Sequence, residues 1–144
     1  FSPLSNEEIM QYFNLRHLDS NFNTNILKLC GGSISKAIEL HNEVSQYNSL
    51  DNLLNTFYTS NIIDIWNNSD ILYKSKDNIQ HLLEYMNIVY MNKLLETKDV
   101  KYINIINHIE QSKKRLASNA NFDMNIDNLL LKIWEEFNEK YSRY

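Results

Sequence analysis

Few side chains in this sequence are spaced for chemistry: His17, His41, His81 and His108, the single Cys30, and the basic run Lys113-Lys114-Arg115. A helical zinc site of the His-Glu-x-x-His type needs two histidines four residues apart, and no pair here has that spacing. His81 and Glu84 are three apart, so a helix would bring them to one face. A di-metal bundle would need matching Glu and Glu-x-x-His sets on facing helices. Glu110 lies near His108 but not at that spacing. All four histidines therefore read as surface or boundary residues. Gly31-Gly32 lacks the Lys-Ser/Thr ending of a phosphate-cradling loop, and no Gly-x-Ser-x-Gly elbow occurs. Cys30 lies near a helix start and Lys36, which would favour a thiolate. Its place just before a glycine turn suits a buried structural thiol better. Glu110 and Gln111 precede the basic run, which reads as a solvated helix face. No catalytic set, metal site or cofactor is expected.

Composition points the same way. The 144 residues include two Gly, one Pro and one Cys, and the formal net charge is −4. From Ser33 onward there is no Gly or Pro. An all-β chain needs many tight turns, and those draw on Gly and Pro, so an all-α fold is expected. A domain devoted to gripping phosphates usually carries a basic excess, which argues against DNA binding as the main task. One cysteine rules out an internal disulfide and suits a reducing, cytoplasmic setting. No apolar run reaches the length of a membrane span. Phe1 is not an initiator Met, so the chain is expected to be a fragment of a longer protein.

Helices must position whatever function there is. Ser5-Asn6-Glu7-Glu8 is a capping box, followed by an apolar face of Ile9, Tyr12, Phe13 and Leu15 that ends near Arg16. A second helix is expected over Asn23 to Leu29, with Gly31 as its left-handed C-terminal residue. Ser33 caps a third helix reaching Tyr47, with Ile34, Ala37, Ile38, Leu40 and Val44 inward. A new helix starts at Ser49 or Asp51, breaks near Thr59-Ser60, and gives way to Ile62, Ile63, Ile65 and Trp66. Asn67 to Asp70 reads as a turn. A long helix follows, starting at Ile71 or Lys76 and reaching Leu95. Another covers Val100 to Leu116, with Ile103, Ile106, His108, Ile109 and Leu116 on its face. The last carries Met124, Ile126, Leu129, Leu130, Ile133, Trp134 and Phe137. Trp66, Tyr85, Tyr90, Trp134 and Phe137 are expected mostly in the core, with part of the set on a docking surface.

Two stretches resemble clamp loader subunits of bacterial DNA polymerase III. Residues 26 to 40, Ile-Leu-Lys-Leu-Cys-Gly-Gly-Ser-Ile-Ser-Lys-Ala-Ile-Glu-Leu, look like the end of an AAA+ lid: a helix, a small-Gly-Ser turn, then a helix with a small-x-x-Ala-Leu start. Gly31, Gly32, Ser33 and Ala37 carry this likeness. ATP-binding members place a sensor arginine at the position of Ser35, which has no charge, while Lys36 lies about 100° further round a helix. That departure fits the delta-prime type, which does not bind ATP productively. Residues 113 to 133 resemble the end of the collar domain, a basic helix end, Leu-x-x-Asn-x-Asn, then a Leu-Leu-Leu run. Leu116, Asn119, Asn121, Leu129, Leu130 and Leu131 carry it. The Trp-x-Arg-Asp pattern of the family's long collar helix is not matched by Val89-Tyr90-Met91-Asn92-Lys93.

The resemblance implies three short lid helices over residues 1–47 and an antiparallel collar bundle over 48–144. It implies a non-catalytic assembly module whose partners are the delta and gamma/tau-type subunits, met through a pentameric collar. DNA would be reached only through the assembled complex, and no membrane is involved. The alternatives are the C-terminal domain of another AAA+ protein, such as a gamma/tau-type subunit, or an unrelated helical interaction module.

Overall fold

Ser5 and Glu8 open the first helix reciprocally. The Ser5 N–H donates to Glu8 Oε1 at 3.0 Å, and the Glu8 N–H donates to Ser5 Oγ at 3.1 Å. The structure, a computed structural model, describes residues 3–15, 23–59, 61–118 and 121–138. Among these every regular element is helical, as composition predicts. The chain divides into two compact units, Phe1–Asn48 and Ser49–Tyr144.

The first unit holds α1 (Asn6–Leu15), α2 (Thr24–Cys30), α3 (Ile34–His41) and the start of α4 (Val44–Thr56). Ile9 and Phe13, one turn apart on α1, are fully buried, but Leu15 is 81% exposed and not part of that face. Asn23 caps α2 by accepting from the Ile26 N–H at 2.8 Å. Ile26, Leu29, Cys30, Ala37 and Leu40 are buried. Ile38, expected inward, is exposed, because α3 turns Ala37 and Leu40 to the core. The single helix expected from Ser33 to Tyr47 is two. Asn42 and Glu43 form a tight turn closed by the Glu43 N–H to Leu40 O at 2.9 Å. The break expected at Ser49 is absent. Asn48 and Ser49 are weak helix formers, yet Tyr47, Leu50, Leu53, Leu54 and Phe57 recur on one buried stripe, and burial outweighs propensity.

The second unit continues through a 3-10 turn (Phe57–Thr59), α5 (Ile62–Asn67), α6 (Asp70–Tyr73), a second 3-10 turn (Lys76–Asn78), α7 (Ile79–Thr97), α8 (Val100–Ala117) and α9 (Phe122–Phe137). The polar turn after α5 is tied down by Asn68 Nδ2 donating to Asp64 O at 2.8 Å and Ser69 Oγ to Trp66 O at 2.7 Å. Between α7 and α8 there is no glycine, so Lys98 takes the left-handed conformation itself, φ 56°. Asp99 then caps α8.

α8 packs between α7 and α9 and runs antiparallel to both. Asn87 Nδ2 on α7 meets Glu110 Oε1 on α8 at 2.5 Å, and Gln80 Nε2 meets Lys113 O at 3.1 Å. On the other side Asn104 Nδ2 reaches Glu136 Oε2 on α9 at 3.2 Å. The buried seam of α8 is Tyr102, Ile105, Ile109 and Ser112, rotated from the expected face; Ile103 is exposed. An amphipathic Tyr102 at one end and a polar Ser112 at the other hid this seam from a reading that counts isoleucines. Met124, expected on the inner face of α9, is likewise exposed, while Ile126, Leu129, Leu130 and Ile133 are buried. Tyr85 on α7 braces α4 by donating to Asp51 Oδ1 at 2.8 Å. Burial raises that carboxyl above its ordinary range, and the hydrogen bond draws it back.

An aromatic cluster closes one end of this unit. Phe137 lies 4.9 Å from the Tyr58 ring and 5.8 Å from Phe57, and Tyr90 stacks 5.9 Å from Tyr102. The Tyr58 and Tyr102 hydroxyls are 3.1 Å apart. The Tyr90 hydroxyl is buried with no hydrogen-bond partner among the described residues, and burial pushes it well above the usual phenol range. Removing an unsatisfied buried hydroxyl removes a desolvation penalty, so Tyr90→Phe is expected to raise stability by about 1 kcal/mol. Urea denaturation checks this; a loss of similar size would show that the hydroxyl is satisfied by water.

Candidate functional site

The residues behind the clamp loader resemblance fall in two places. In the first unit Gly31 ends α2 with φ 58°, and its N–H donates to Lys28 O at 3.2 Å. Gly32 follows at φ 81°, and its carbonyl accepts from the Leu4 N–H at 2.9 Å. Ser33 then caps α3, its hydroxyl accepting from the Lys36 N–H at 3.2 Å. Ala37 is fully buried one turn on. Ser35 is exposed at the start of α3, with no charge to offer a phosphate. Cys30 is buried beside the turn. Burial pushes its thiol up more than Lys36 pulls it down, which favours the neutral, unreactive form.

In the second unit Asn121 caps α9, its Oδ1 accepting from the Met124 N–H at 3.0 Å. Leu116 is half-buried at the end of α8, and Asn119 lies outside the described residues. The Leu129-Leu130-Leu131 run divides. Leu129 and Leu130 are core, while Leu131 is 44% exposed. Leu131 borders a narrow groove between α5 and α9 whose walls are Ile62, Ile65, Trp66, Leu130 and Trp134. Trp66 is 46% exposed and stacks on Tyr73 at 6.4 Å, and its neighbour Ile63 is 64% exposed. Together they make an apolar strip with no charged residue in the groove wall. A second exposed apolar group, Met91, Leu95, Val100 and Ile103, brackets the α7–α8 turn.

Of the expected core aromatics, Tyr85 and Tyr90 are buried, Trp134 and Phe137 are half-buried, and Trp66 faces outward. His17 lies outside the described residues. His41 sits 5.3 Å from the Phe13 ring, and His108 Nε2 lies 3.2 Å from Glu136 Oε1. Glu84, the candidate companion of His81, instead holds Lys113. No group of three metal-ligating side chains gathers among the described residues.

The basic run does not act as one face. Lys113 turns toward α7 and pairs with Glu84 and, at 3.5 Å, with Glu110. Partial burial alone would lower its pKa, but the hydrogen bond and charge of Glu84, joined by Glu110, hold it above the ordinary lysine value. Lys114 points to solvent. Arg115 turns to the cleft between α8 and α9, where it lines a polar pocket with His108, Gln111, Ser112, Asn128, Leu129 and Lys132. The sequence held a signal for this pocket in the spacing of His108, Ser112 and Arg115, which fall on one helical face. No helix among the described residues is long and apolar enough to cross a membrane. Comparison of the chain with protein-family models, curated proteins and solved structures gives no match.

Proposed function

We propose that this chain is a non-catalytic assembly module of the delta-prime clamp loader type, with a lid remnant over residues 1–47 and a collar bundle over 48–144. One observation carries the reading: the apolar strip of Ile62, Ile63, Trp66 and Leu131 that the bundle leaves uncovered. Interface cores draw on aromatic and aliphatic residues with charge excluded, which is the make-up of this strip. Contacts between unlike faces of successive subunits close a ring, as a pentameric collar requires. The uncharged Ser35 at the start of α3 agrees with a subunit that senses no nucleotide. In this reading the chain anchors its neighbours and performs no chemistry.

Light scattering after size exclusion tests it, using this chain with the collar domains of the same organism's delta and tau-type subunits. A defined mixed complex is the expected result. Separate elution of all three folded components would sink the proposal. A gamma/tau-type subunit is the second reading, and saturable ATP binding to the chain would favour it.

A further inference from the structure

We propose that the cleft between α8 and α9 binds a phosphate-type oxyanion. The cleft has a volume of about 220 Å³ and no carboxylate in its wall. That is room for a phosphate group with several waters. From α8 come His108, Gln111, Ser112 and Arg115; from α9 come Asn128 and Lys132. The two antiparallel helices bring the cations together from residues 17 apart in sequence. Arg115 and Lys132 form no ion pair among the described residues, although acidic residues outnumber basic ones in the chain, 18 to 14. The contrast with Lys113, which two glutamates neutralise, shows that this helix end can pair its charges where the fold calls for it.

A second, independent observation points into the same space. Ser112 is 1% exposed, lines the cleft, and its hydroxyl has no hydrogen-bond partner among the described residues. The hydroxyl is open to the cleft, where it can donate to a ligand oxygen. The amides of Asn128 and Gln111 are also free of protein partners and can donate. Glu136, which meets the lining residue His108, is engaged by Asn104 and His108, each at 3.2 Å. A guanidinium, an ammonium, a hydroxyl and two amides around one small volume match the several acceptor oxygens and double charge of a phosphate. The source of that chemistry is either free phosphate or the head group of a small phosphate monoester.

Calorimetric titration of the whole chain at low ionic strength tests this, with inorganic phosphate and glycerol phosphate as the two probes. Saturable binding is expected. Arg115→Gln and Lys132→Gln should each weaken it about tenfold or more. Ser112→Ala changes no charge and should weaken it about fivefold. Lys114→Gln, exposed outside the cleft, should leave it within about twofold. Equal affinity for the two probes assigns the site to the free anion, and tighter binding of glycerol phosphate assigns it to a monoester. The proposal is overturned by the absence of saturable binding of either probe, including a result in which only a single-stranded oligonucleotide binds. It is equally overturned if Lys114→Gln weakens binding as much as Arg115→Gln, or if Ser112→Ala has no effect. Matching thermal melts establish that each variant is folded.

Discussion

Gly32→Ala is expected to destabilise the first unit by about 3 kcal/mol, whereas Gly31→Ala, one residue away, should cost about 1 kcal/mol. Both glycines have positive φ, 58° and 81°, so each loses a conformation that only glycine adopts without penalty. Their surroundings separate them. A Cβ on Gly31 would meet nothing within 4 Å. A Cβ on Gly32 would lie 2.5 Å from the Pro3 Cβ, 2.7 Å from Leu4 O and 2.8 Å from Leu4 N. Two of those atoms are backbone and the third belongs to a rigid ring, so no rotamer change relieves the clash. The N-terminal strand of chain must lift off the turn, breaking the Leu4 N–H bond to Gly32 O. Urea denaturation with amide exchange over residues 24–41 measures both variants. Equal losses would show that φ alone matters and that the contact with Pro3 and Leu4 does not.

Much of this turn was legible in the sequence. Gly31 was assigned to the end of a helix and Ser33 to the start of the next, because those positions obey local rules of chain geometry and capping. The capping box at Ser5 and Glu8 was readable for the same reason. The close approach of Leu4 to Gly32 was not, since it joins residues 28 apart and nothing local encodes it. The seam of α8 failed differently. Tyr102 and Ser112 belong to the buried face although one is amphipathic and the other polar, so a stripe drawn through Ile103 and Ile106 pointed one residue too far round. The phosphate-sized cleft was hidden further still. Its cations sit in two helices, and the Lys113-Lys114-Arg115 run suggested one basic face where the helix sends each side chain in its own direction. Of the exposed strip, Trp66 was legible as one of an aromatic set with part on a docking surface, whereas the exposure of Ile63 and Leu131 depends on how α5 and α9 pack and nothing local encodes it.

The Leu130 and Leu131 pair offers the sharpest separation of folding from assembly. Leu130 is 3% exposed, packed between the core of the bundle and the groove wall, while its neighbour looks outward. Successive residues on a helix differ by about 100° in direction, so one substitution probes the core and the next probes the surface. Leu130→Ala removes buried carbon and leaves a cavity, with an expected loss of about 3 kcal/mol in the second unit. Leu131→Asp should cost only about 1 kcal/mol, from the buried part of a side chain that is 44% exposed and from the weaker helix propensity of Asp. Its effect belongs to binding. A charge at the centre of an apolar contact must be desolvated without a partner, which, if the proposed assembly holds, is expected to weaken association with the collar domains of the proposed partners by about a hundredfold. Denaturation of each variant alone gives the first comparison, and titration against the partner domains gives the second. Trp66→Asp should repeat the Leu131 result, because both side chains line the same groove. If Leu131→Asp assembles as well as the unaltered chain, the strip between α5 and α9 is not the contact. Under the proposed assembly, the exposed group around Leu95 and Val100 at the α7–α8 turn is then the next surface to substitute.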